Sequence, residues 1–188
     1  KVIHIEKKKI FMNQKKKILF IMTALNGGGA EKVLVTLLQN IDTSKYDIEL
    51  LLTFKKGVYV DSIPKWITIK TIYGEKLWLR RLLMFKYRRW GWKFGIKWLL
   101  NNNCRDKYDT IISFMEGESL LYHSMLLERT TNNVSWVHID LFKNHWSKKY
   151  FYSTQESQIY NSMNQIVFVS NQAKESFNKL FSIKSSPN

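Results

Sequence analysis

The stretch KKKILFIMTALNGGGAEKVLVTLL, residues 15–38, decides the fold. After three lysines come five consecutive apolar residues, Ile18 to Met22. A run of that length with branched and aromatic side chains suits a strand buried on both faces. The run gives way to Thr23-Ala24-Leu25-Asn26 and then to Gly27-Gly28-Gly29, after which Val33, Leu34, Leu37, Leu38 and Ile41 recur at helical spacing on one face. Strand, glycine turn and helix in this order open a doubly wound α/β sheet.

Repetitions of the unit follow along the chain. Short apolar runs return at IELLL (48–52), IISF (111–114), VSWV (134–137) and IVFV (166–169), while ITIKTI (67–72) alternates as a strand nearer the edge does. Residues 18–22, 111–114, 134–137 and 166–169 are expected inside the sheet. A second helical pattern, Ala173, Phe177 and Leu180, follows Ser170. The predicted class is α/β, a Rossmann-like, doubly wound, mostly parallel sheet with helices on both faces and right-handed crossovers. At 188 residues the chain fits one domain. Residues 1–15 read as a basic N-terminal extension, partly upstream or added sequence with Met12 the native start. Residues 16–181 read as the α/β domain, and the polar 182–188 as the start of a linker. The single cysteine, Cys104, excludes an internal disulfide, and no Cys/His cluster supports a metal site. No apolar run approaches the roughly 18 residues that cross a bilayer, and the start lacks a signal-peptide core. A cytoplasmic location is expected.

The formal net charge of +15 is unevenly placed, with 23 Lys/Arg against 8 Asp/Glu in residues 1–107 and 7 against 7 in residues 108–188. Residues 76–97 hold eight basic residues and no acid. Around them, in EKLWLRRLLMFKYRRWGWKFGIKWLLNNN (75–103), aromatic and aliphatic side chains interleave with the charges, as in a helix or helix pair lying in a lipid headgroup layer. Trp78, Trp90, Trp92 and Trp98 suit such an interface. Arg80, Arg81, Arg88, Arg89 and Lys93 would each add about 1 kcal/mol of attraction to an anionic surface. Gly91 and Gly95 weaken a single continuous helix. In a second reading the apolar positions face the core and the charges merely solvate the outer side. A third makes the chain a basic nucleic-acid-binding α/β module whose aromatic residues stack bases. Without an RRM, KH or zinc pattern, nucleic acid is not expected as a partner.

Several residues suit chemistry at a strand's carboxyl end. Gly27, Gly28 and Gly29 let the backbone approach a phosphate at a helix N-terminus, or they simply make a tight turn. The pattern is neither GxGxxG nor a P-loop, which disfavours a dinucleotide-binding oxidoreductase. Glu31 is either a first-turn carboxylate favoured by the helix dipole or a ligand contact. His138 follows a buried strand, as a cleft residue or as a structural histidine held by a carbonyl; Asp140 would orient it or cap the next segment. In Phe114-Met115-Glu116-Gly117-Glu118-Ser119, Glu116 is the better candidate for binding acceptor hydroxyls or acting as a base, and Glu118 for a first-turn residue. Ser170 and Asn171 cap a helix, with ligand contact the second reading. His123 and His145 read as packing or surface residues.

A lysine-rich start, a buried strand and then NGGGAEKVLVTLL is similar to the opening of the retaining, nucleotide-sugar-dependent glycosyltransferases of family 4, whose GT-B architecture has two facing Rossmann-like domains. VSWVHIDL (134–141) looks like that family's strand-to-loop segment with Trp-x-His, and QIVFVSNQAKESF (165–177) like the strand and helix that close its N-terminal domain. The likeness spans about residues 16–181. It implies transfer of a hexosyl group from a nucleotide sugar, a co-substrate rather than a cofactor, to a lipid-linked or cell-surface polysaccharide acceptor, with retention; no metal ligand set is visible in the sequence. By the same resemblance His138 contacts the donor sugar near the reacting carbon; on the enzyme reading the glycine turn would near the donor diphosphate, Glu116 would hold the acceptor, and a cleft position would let Ser170 and Asn171 touch ligand. The protein would sit peripherally on the inner face of the cell membrane. The family's Glu-x7-Glu motif and basic pair do not occur, so the chain is expected to be the acceptor-side half, inactive without a donor-binding C-terminal domain.

Overall fold

The computed structural model describes residues 14–182, so the expectations for Met12, for most of the N-terminal extension and for the linker after Ser182 lie outside the described residues. Six strands form one sheet: β1 (Lys16–Met22), β2 (Tyr46–Leu52), β3 (Thr68–Thr71), β4 (Thr110–Ser113), β5 (Asn133–Val137) and β6 (Gln165–Phe168). Their order is β3-β2-β1-β4-β5-β6, and each neighbouring pair is parallel. The helices are α1 (Gly29–Asn40), α2 (Leu77–Trp90), α3 (Phe94–Asn103), α4 (Glu118–His123), α5 (Gln155–Asn161) and α6 (Asn171–Leu180).

Period-two alternation in β1 explains why it is apolar throughout. Leu19 and Ile21 enter a core with Leu83, Tyr87, Leu100 and Tyr122 from α2, α3 and α4. Phe20 and Met22 enter the opposite core with Leu34, Val35 and Leu38 of α1. A third cluster joins Val137 to Tyr160 of α5 and Phe177 of α6. At the amino edge the nearly buried Glu49 accepts from Lys70 Nζ at 2.7 Å and Tyr108 Oη at 2.6 Å, and pairs with Lys17 at 3.0 Å. Those three partners outweigh burial and hold its carboxyl below the usual range.

Two expectations change in detail, and a third resolves between its alternatives. The 166–169 run sits at the sheet's edge rather than inside it, because β6 has only β5 beside it. Ile166 to Phe168 are accordingly half-buried, and Val169 is exposed. On α1 the buried face is Leu34, Val35 and Leu38, while Val33 and Leu37 point outward; the apolar stripe is wider than the surface the sheet offers. The basic aromatic segment is a helix pair. Gly91 ends α2 with φ +68°, donating its N–H to Tyr87 O at 2.7 Å, the left-handed stop that glycine adopts without strain.

Candidate functional site

A sheet of parallel strands sends every post-strand loop to one edge. β1 is followed through α1 by β2 on one side, whereas β4 lies on its other side, so the β1 and β4 loops diverge and leave a crevice at the topological switch point. The glycine turn follows β1, Glu116 follows β4 and His138 follows β5, three adjacent strands. The three positions thus share one rim. Thr23 Oγ1 and Ser119 Oγ, 3.4 Å apart, meet across the crevice.

At the glycine turn, Gly27 has φ +118° and Gly28 is the residue before the helix. Glu31 folds back, and its Oε2 accepts from the N–H of Gly27 at 2.9 Å and from the N–H of Gly28. A carboxylate from the chain itself therefore occupies the turn's first two donors, as its first-turn reading requires. The turn is braced from the β2 side. Leu25 N donates to Lys56 O at 2.9 Å, and a Cβ on Gly57, at φ +122°, would lie 2.0 Å from Leu25 O.

The His138 ring stacks on Trp136, with centroids 5.8 Å apart and planes at 21°, and lies against Phe114 at 5.1 Å. Its Nε2 is buried with no partner among the described residues. Burial lowers its pKa, partly offset by the Phe114 backbone, so the ring is neutral at pH 7. Beneath it Glu116 is fully buried. Its Oε1 accepts from the N–H of His138 and from that of Ile139 at 3.2 Å, while Oε2 has no partner among the described residues. Burial raises its pKa against the pull of those backbone bonds. The expectation that Glu116 meets the acceptor is corrected accordingly. With 0% of its surface exposed, the carboxylate serves the unpaired N–H groups where β5 ends and holds the His138 loop.

Glu118 does begin α4, but it is buried and takes a two-pronged ion pair from Arg80, Nε to Oε1 and Nη2 to Oε2, each 2.7 Å. Tyr122 Oη donates to the same carboxylate. Arg80 is therefore removed from the set of outward-facing arginines, because its guanidinium offsets the cost of burying the Glu118 carboxylate. Nothing in the sequence signals a contact spanning 38 residues.

The other outer-face residues stand clear. Trp78 and Trp90 are 63% and 64% exposed; Leu82, Phe85, Trp92, Trp98, Arg81, Arg88, Arg89 and Lys93 are exposed too. Leu83, Met84 and Tyr87 take the core side of α2. The core-facing reading thus accounts for one stripe of the helix and leaves the other bare.

Asp140 accepts from Lys143 N at 3.0 Å and Gln172 Nε2 at 3.1 Å, the capping alternative. Ser170 Oγ accepts from Ala173 N at 3.1 Å, again a cap, with the exposed Asn171 opening α6. His145 contacts Glu156 at 2.7 Å. His123 is fully buried between Ser113 Oγ and Asn133 Oδ1, both at 3.0 Å, and burial lowers its pKa to about 4. Among the described residues no three His, Cys, Asp or Glu side chains come together to hold a metal ion, and no helix is long and apolar enough to cross a membrane.

The fold is a Rossmann-like α/β domain, six parallel strands with helices, of the kind found in GT-B glycosyltransferases. Among solved structures it is similar to the apo form of the lipopolysaccharide outer core galactosyltransferase WaaB, with a TM-score of 0.54 and 19% identity over 87% of this chain and 42% of that one. The chain thus spans less than half the length of that galactosyltransferase. No protein-family model matches the chain, and no curated protein matches it in sequence.

Proposed function

We propose that the chain is the acceptor-side part of a family 4, retaining glycosyltransferase that moves a hexosyl group from a nucleotide sugar to a lipid-linked or surface-polysaccharide acceptor. The observation that carries this reading is the rim itself. A glycine turn, a neutral histidine with an unpartnered Nε2 and a buried carboxylate holding that histidine's backbone follow three adjacent strands at the switch point, in a fold like that of a galactosyltransferase.

Each residue has a role in the reaction. As the sugar leaves, charge grows on the departing diphosphate, and preorganised donors lower the barrier most. The N–H groups of Gly29 and Ala30, in the first turn of α1, are of the kind a helix leaves without an internal partner, and they face that charge beside the Glu31-filled turn. His138 contacts the donor sugar near the reacting carbon, and Glu116 fixes the loop that presents it. Ser170 and Asn171 border the same cleft. A donor-binding domain supplies the base pocket, and catalysis needs both halves to position the reactants. The outer face of α2 and α3 rests on the anionic inner face of the membrane.

In an enzyme joining this chain to its donor-binding half, His138→Ala should lower kcat more than it raises donor KM, because the contact matters most in the transition state. The 188-residue chain alone should bind nucleotide sugar weakly and show no turnover. Unchanged kinetics in the variant, or transfer by the chain alone, would overturn the assignment.

A further inference from the structure

Between α2 and the segment after β5 lies a pocket of ≈ 570 Å³ whose polar lining is almost wholly cationic. Arg81, Arg88 and Arg89 reach it from α2, and Lys149 and Tyr150 from the opposite wall. Among the described residues those four cations form no ion pair, whereas Arg80, which also lines the pocket, is paired with Glu118. Lys149 is held over the rings of Trp146 and Tyr150, at 5.7 and 5.2 Å.

The pocket is built into the same loop as the candidate site. Glu116 holds the His138 backbone, Glu118 holds Arg80, and a Cβ on the intervening Gly117 would come within 2.8 Å of the Trp146 ring and 3.2 Å of the Tyr150 ring. One three-residue stretch thus fixes both walls of the pocket and the histidine. Its outer lip is apolar: Phe85 lines it, continuing the exposed stripe of Trp78 and Leu82.

We infer that this pocket binds the diphosphate of a lipid-linked acceptor, with Arg81, Arg88, Arg89 and Lys149 around the phosphates and the lipid chain lying along Trp78, Leu82 and Phe85. Several convergent cations favour a group carrying two or three negative charges over the single charge of a phosphodiester headgroup, since each added charge meets the same fixed cations. The adjoining apolar stripe selects an amphiphile over a free sugar phosphate or a nucleic acid. That the occupant is an acceptor rests on the glycosyltransferase reading; that the pocket takes a diphosphate does not.

The test uses the whole chain. Pyrophosphate binding is measured by calorimetry, and co-sedimentation is compared on neutral vesicles carrying either a polyprenyl diphosphate or phosphatidylglycerol at matched surface charge. Pyrophosphate should bind, and Arg88→Gln with Lys149→Gln, both at exposed positions, should weaken it roughly tenfold with an unchanged thermal midpoint. Trp78→Ala with Leu82→Ala should leave pyrophosphate binding intact while reducing binding to the diphosphate vesicles. The inference is overturned if the pocket variant binds pyrophosphate as the wild type does, if the two vesicle types bind equally, or if a single-stranded oligonucleotide outcompetes pyrophosphate for the same residues. Absence of sugar transfer by the longer enzyme would sink the acceptor role alone.

Discussion

Arg80 shows how far one residue's surroundings can reverse its apparent purpose. Within a run of basic residues it reads as one more surface charge, yet it is the counter-ion of the buried Glu118 and ties the start of α2 to the start of α4. That carboxylate lifts the guanidinium's pKa further through its hydrogen bonds, opposed by burial. Removing one partner of such a pair leaves the other charge buried and uncompensated. Arg80 is still partly open to solvent, which tempers the loss. Arg80→Gln should therefore cost roughly 2–4 kcal/mol in urea unfolding, whereas the exposed Arg81→Gln should stay within about 0.5 kcal/mol. Equal effects at the two neighbours would show that the ion pair contributes little. A variant set meant to remove surface charge alone should hence use Arg81, Arg88 and Arg89 and spare Arg80.

Among the elements, α2 serves two masters. Its inner stripe of Leu83, Met84 and Tyr87 belongs to the core, and Tyr87 Oη donates to Tyr150 O at 3.0 Å, fastening the post-β5 segment. The outer stripe is apolar as well, ringed by arginines and followed by Trp90, which meets Phe85 edge-on at 5.7 Å. Under the proposed membrane contact, the apolar side chains of such a helix insert and its charges meet headgroups. The chain should co-sediment with anionic vesicles at low salt and be released as salt screens the charge. Trp78→Ala, Leu82→Ala and Phe85→Ala together should weaken the binding several-fold without lowering the unfolding midpoint, because none of the three enters the core. Retention at high salt, or binding that ignores vesicle charge, would count against the basic face as the anchor.

For the whole molecule, buried titratable groups set how stability responds to acid. The folded pKa of His123, about 4, lies below its unfolded value, so between the two the unfolded chain holds more protons. Its contribution is complete above the unfolded pKa and is lost as pH falls, up to about 3 kcal/mol by pH 4. His138, also lowered, acts in the same direction. Glu116 is raised and acts oppositely: its contribution is complete at low pH and lost as pH rises through its folded pKa. Urea unfolding should thus show stability declining from pH 6.5 to 4.5, and Glu116→Gln should steepen the decline by removing the opposing contribution. A flat wild-type profile, or a shallower one in the variant, would contradict this balance.

The residue pattern alone determined the sheet and its class, because period-two and 3.6-residue repeats are local properties that burial on two faces writes directly into the chain. It also marked the glycine turn and His138, since a parallel sheet sends every loop after a strand to one edge. What it could not determine is which partner each polar group finds. The bonds from Glu116 to the His138 loop, from Glu118 to Arg80 and from His123 to Ser113 and Asn133 join residues on different elements, and only the packing of those elements brings them together. The same is true of the division of α2 into two apolar stripes, because a periodic pattern shows that a face is apolar but only the packed neighbours decide whether it is covered. Tertiary structure settled those points by the cost of burying an unpaired charge or N–H group, which no single segment can meet by itself.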